Sequence, residues 1–171
     1  MSPGPQSLKI CVVSNVASSS VGGLASYMRF LLDSLAPDHT VSAVARFAGE
    51  LPHGVDYAGS EAARTIAHGR YRTEIVSPRP TMRPLLRSLG HCVSRPALQP
   101  LAVRVVQQAY GREFQRAIPA DADVVHFVGT GWELIGFAAL SVARRHGGRA
   151  WAESAGPGRG STFVLQFPLE R

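Results

Sequence analysis

Lys9-Ile-Cys-Val-Val-Ser-Asn15 is a short apolar run bounded by polar residues, the pattern of a strand buried on both faces of a parallel sheet. The chain then passes through a loop rich in serine and glycine, Ser14 to Gly23. From Leu24 to Ala36, the apolar residues Leu24, Met28, Leu31, Leu32 and Leu35 recur at helical spacing, and Pro37 ends the pattern. Thr40 to Phe47 alternates like a second strand. Strand, glycine loop, helix and strand form a βαβ unit, which predicts an α/β fold built on a Rossmann-like parallel sheet of four or five strands.

Working outward, a second ordered block begins at Asp123. Asp123 to Val128 is another buried-type strand, Gly129 to Gly131 a tight loop, and Trp132 to Arg145 an amphipathic helix with Ile135, Ala138, Ala139 and Val142 on one side. Between the blocks the reading is looser. Ala48 to Gly69 reads as loop with a short helix, and Glu74 to Ser77 as a third strand ended by Pro78 and Pro80. Thr81 to Ile118 reads as two or three helical pieces, with Pro84, Pro96 and Pro100 interrupting any single helix. Beyond Gly147 and Gly148 the texture changes. Arg149 to Glu153 and Thr162 to Phe167 read as two strands around a Gly/Pro turn, a β-hairpin-like tail expected at or near a sheet edge.

The composition suits one globular domain: 171 residues, 45% hydrophobic and 18% charged. The formal net charge is +6, which permits an anionic partner such as a phosphorylated substrate or an acidic lipid. Lys9 is the single lysine and every other basic residue is arginine. Arginine is concentrated from Arg64 to Arg116, where the only acidic residues are Glu74 and Glu113. Cys11 and Cys92 are too few and too far apart for a disulfide framework or a metal site. Met1 to Ser7 lacks the basic and apolar regions of a signal peptide, and Glu133 and several glycines interrupt the apolar stretch Val124 to Ala143. The expectation is a cytoplasmic protein, with peripheral membrane contact allowed by its charge.

Two features could carry chemistry. In the loop Ser18-Ser-Ser-Val-Gly-Gly23, glycines let the backbone approach a ligand, and the start of the following helix offers unpaired N–H groups to a phosphate or hydroxyl. The loop matches neither the dinucleotide fingerprint nor the Walker motif, and a glycine turn that simply lets the helix pack accounts for it equally well. His126, read as lying at the carboxyl end of its strand, is aimed at the same sheet edge. There it can hydrogen-bond a hydroxyl or move a proton near neutral pH; a histidine satisfied by backbone within the core is the alternative.

Taken in order, KICVVSN…VGGLASYMRFLLDSL and DADVVHFVGTGWELIGFAALSVARRHG resemble the two ends of the N-terminal, acceptor-side domain of the family-four retaining GT-B glycosyltransferases. The resemblance covers residues 8–146. It implies a nucleotide-sugar donor with Gly22 and Gly23 near its phosphate, and His126 as the catalytic-side histidine facing the acceptor. The position two residues after His126, a histidine in some members, is Val128 here. The resemblance also implies that a second Rossmann-like domain binds the donor. That predicts a partner chain carrying it, or self-association through the apolar surface where it would dock. No nucleic-acid partner, resident cofactor or metal is expected.

Residues 146–171 bring a second resemblance, and the tail 147–171 is read as a separate unit. His146-Gly-Gly-Arg, followed by Gly158-Arg-Gly-Ser-Thr-Phe163 and a closing Phe-Pro-Leu, is similar to the last strands of a sensor histidine kinase ATP-binding domain. In that family Gly160 and Thr162 would lie beside the ATP. The two resemblances meet at Arg145 to Gly148, which predicts a fused or truncated glycosyltransferase-like chain. The alternatives are a fragment of an ATP-binding kinase, or a non-catalytic module that holds an anionic ligand on its arginine-rich middle.

Overall fold

The computed structural model describes residues 7–48, 64–93, 95, 97–128, 147–153 and 162–166. Along the chain it forms β1 (Lys9–Val16), α1 (Gly23–Leu35), β2 (Thr40–Phe47), β3 (Arg64–Ala67) and β4 (Arg72–Ile75). A 3-10 turn (Pro80–Met82) leads into α2 (Arg83–Val93), α3 (Gln99–Ala117) and β5 (Val124–Val128). Two further strands follow, β6 (Arg149–Glu153) and β7 (Thr162–Gln166).

The fold is α/β. Five strands lie in the order β3-β4-β2-β1-β5. β4, β2, β1 and β5 run parallel, and β3 closes one edge antiparallel to β4. The central strand β1 is sealed on both sides, with Cys11, Val12 and Val13 fully buried, because helices cover both faces of a parallel sheet. Side chains alternate between those faces. Cys11, Val13, Val44 and Val125 join Leu86 of α2 and Val106, Tyr110 and Phe114 of α3. Ile10, Val12, Val41 and Ala43 join Met28 and Leu32 of α1 on the other side. Helix α1 therefore covers one face while α2 and α3 carry the chain across the opposite face from β4 to β5.

The local chemistry accounts for these boundaries. Helix α1 buries Ala25, Met28 and Leu32 at three- and four-residue intervals. Its last turn closes with Ala36 N–H bonded to Leu32 O at 3.0 Å, and Pro37 has no N–H to continue the ladder. Pro84 and Pro100 each stand at the second position of α2 and α3, where the missing N–H has no intrahelical partner to lose. At the amino edge, Lys9 ties β1 to the start of β5. Its N–H donates to Asp123 Oδ2 at 2.8 Å, its carbonyl accepts from Asp123 N–H at 2.8 Å, and its ammonium meets Asp121 at 2.7 Å. This contact raises the Lys9 pKa and lowers that of Asp121. Both side chains are solvated, so it fixes register more than it adds stability.

Two expectations are corrected. The strand expected at Glu74 to Ser77 is β4, Arg72–Ile75, because its pairing with Ser42–Ala45 of β2 sets the register. Part of the segment read as loop with a short helix is the strand Arg64–Ala67, which turns into β4 through Gly69 at φ 74°; residues 49–63 lie outside the described set. In the tail, β6 and β7 pair antiparallel with each other in a two-stranded sheet. The expected helix from Trp132 to Arg145, the loop Gly129 to Gly131, and Gly160 lie outside the described residues.

Candidate functional site at the carboxyl edge of the sheet

Strand order determines where an open α/β sheet can hold a ligand. From β1 the chain proceeds to β2 on one side, while β5 pairs with β1 on the other. The crevice beyond the carboxyl ends of β1 and β5 is therefore the topological switch point, the usual ligand position in such sheets. Ser14 of β1 is paired with Val128 of β5 at this edge.

The loop leaving β1 is tightly fastened. Ala17 N–H donates to Phe47 O at 2.7 Å, and Ser20 N–H to Ala17 O at 3.0 Å. The Ser18 carbonyl accepts two hydrogen bonds from the Arg29 guanidinium, at 3.2 and 3.0 Å. Ser18 Oγ accepts one from the Tyr71 hydroxyl at 3.1 Å. Tyr71 is stacked in turn on His68, with ring centroids 4.8 Å apart, and partial burial holds the His68 pKa below its ordinary value. The loop thus ends in a fixed orientation at Gly22, the N-cap of α1.

Gly22 has φ 120° and ψ 169°, a conformation that favours glycine, and no side chain caps the helix. The first turn of α1 consequently presents its N–H groups, with the positive end of the helix dipole, beside exposed Gly22 and Gly23. At this end of the sheet, Asn15 Oδ1 and Ser20 Oγ are sealed from solvent and have no hydrogen-bond partner among the described residues. Ser20 as a whole is 2% exposed.

His126 is the middle residue of β5, opposite Val12, and not at the carboxyl end that the sequence suggested. It is exposed. Its neighbours Val125 and Phe127 belong to the core on the α2–α3 side, so alternation turns His126 toward the α1 side. All three anticipated residues therefore share one side of the sheet, with the glycines beyond its edge and His126 two residues short of it. No hydrogen bond joins them.

Several contributors were not foreseen. Ser18, Arg29 and Tyr71 hold the loop through contacts more than ten residues apart, and nothing in their local sequence announces this. Arg46 is 5% exposed near the end of β2, its guanidinium 4.2 Å from the Phe47 ring centroid and 5.6 Å from that of Tyr110. Such stacking helps offset the burial of a cation. A lone arginine in an otherwise apolar strand was the available signal. Hollows lie elsewhere among the described residues. One of about 510 Å³ is at the amino edge, around Lys9, Thr40, Arg72 and Asp121. One of about 760 Å³ runs along α3.

Among the described residues no group of His, Cys, Asp or Glu side chains is placed to hold a metal ion, and no helix is long and apolar enough to cross a membrane. No protein-family model, curated protein or solved structure gives a significant match to this chain.

Proposed function

We propose that residues 8–146 act as the acceptor-side unit of a nucleotide-sugar-dependent glycosyl transfer. The observation that supports this most is the uncapped, glycine-led N-terminus of α1 at the β1–β5 switch point. In this reading the N–H groups beside Gly22 and Gly23 receive a phosphate oxygen of the donor, where the helix dipole favours negative charge. His126 orients the acceptor hydroxyl or takes its proton. The departing nucleotide diphosphate needs further cations to stabilise it. A donor-binding domain, in the same polypeptide or in a partner chain, provides them.

The test is calorimetric titration with uridine and guanosine diphosphate sugars, together with a transfer assay against a panel of sugar and lipid acceptors. Saturable binding that Gly22→Val abolishes, and turnover that His126→Ala depresses, are the expected results. Absence of both binding and transfer, alone or with candidate donor-domain chains, would remove the reading.

A further inference from the structure

Helix α3 holds a second concentration of chemistry, on the sheet face opposite α1. Arg104, Gln108 and Arg112 recur every four residues, which sets them in one row extending about 12 Å along the helix. The chain before the 3-10 turn brings Arg79 to the same place, and the three arginines line the hollow of about 760 Å³. We propose that this groove binds the phosphate group of a small anionic ligand, a phosphomonoester or a diphosphate.

Four observations lead there. First, the charge is not neutralised by the described residues. Glu113, the carboxylate on the groove wall, is engaged with Arg116 at 3.3 Å through both of its oxygens. The guanidinium groups of Arg79, Arg104 and Arg112 form no ion pair or hydrogen bond among the described residues. Three cations around one hollow repel each other, and an anion seated between them relieves that repulsion. Second, guanidinium forks match the oxygens of a phosphate in both shape and charge. Third, Gln107 lines the groove, and its amide can donate to a ligand oxygen. Fourth, Gly111 stands mid-helix, where glycine is poorly suited. A Cβ placed there would meet nothing within 4 Å. The missing side chain leaves open space in the lining of the groove. The hollow lies within the size range of small-molecule sites.

The inference is independent of the carboxyl-edge reading, since none of the groove residues belongs to β1, α1 or β5. Inorganic pyrophosphate is the probe, titrated calorimetrically into the full chain at low and high salt. One saturable site is expected, weakened about tenfold for each of Arg104→Gln and Arg112→Gln. Gly111→Leu keeps every charge but fills the groove, and it should abolish binding while circular dichroism stays unchanged. Flotation with phosphatidylcholine vesicles, with and without phosphatidic acid, separates the sources of the phosphate. Retention on the acidic vesicles that Gly111→Leu abolishes assigns it to a lipid headgroup, and pyrophosphate binding without retention assigns it to a soluble ligand. Binding that survives both Gly111→Leu and the arginine substitutions, or no binding to either probe, overturns the proposal.

Discussion

The Tyr71 hydroxyl donates a 3.1 Å hydrogen bond to Ser18 Oγ across 53 residues of chain. It joins the start of β4 to the loop that aims α1. Both residues are buried, at 7% and 1% exposure, so the bond has no water to replace it. Tyr71→Phe keeps the ring and its stacking on His68 while leaving Ser18 Oγ without its donor. The expected loss is about 1–2 kcal/mol, read as a lower urea midpoint with an unchanged slope. Adding Ser18→Ala should recover part of that loss, because the orphaned hydroxyl is then removed.

Gly22 and Gly23 are adjacent but not equivalent. A Cβ at either position would meet nothing within 4 Å, yet only Gly22 has positive φ. Gly22→Ala is therefore expected to cost about 1–3 kcal/mol through backbone strain alone. Gly23→Ala, in the first turn of α1, should be neutral or slightly stabilising. Thermal unfolding of the two single variants checks the asymmetry; equal effects would contradict it.

Gly111 gives the opposite expectation within a helix. Gly111→Ala should stabilise by up to about 1 kcal/mol, which corresponds to a rise in Tm of about 2–4 °C for a chain of this size. A fall in Tm would mean that the space in front of Gly111 is not open.

Cys11 is a free, buried thiol whose pKa burial pushes up from 9.0 to about 11. The folded state thus retains a proton that the unfolded state has lost. The thiol's contribution is present in full below pH 9.0 and is lost as pH rises through about 11. Wild type should lose stability across that window more steeply than Cys11→Val, as read by urea midpoints at stepped pH. In the folded protein near neutral pH, Cys11 should resist alkylation until denaturant is added.

Much of the sheet was legible because buried parallel strands are continuous apolar runs. Thr40–Phe47 has the boundaries its alternation suggested, and Lys9–Val16 exceeds its expected run by one residue. The strand Arg64–Ala67 was not legible, since a four-residue edge strand with exposed Arg64 and Thr65 has no hydrophobic pattern to display. The position of β4 was misjudged by two residues because register depends on β2, and local residues do not encode it. At the candidate site, Gly22 could be singled out from the chain because its role is a property of its own backbone. The buried Ser20 hydroxyl could not, because burial depends on what the rest of the fold places over it.

The switch-point loop and the arginine groove divide along the same line. By itself the sequence determined the βαβ opening, the glycine-led start of α1, and the arginine surplus between Arg64 and Arg116, because periodicity, backbone permissiveness and charge are local properties. Only the tertiary structure decided that β5 pairs beside β1 to form the crevice, that His126 sits within the sheet rather than at its edge, and that Arg79 meets Arg104 and Arg112 around one hollow. Those are matters of strand order and helix packing, set by which distant apolar faces bury one another.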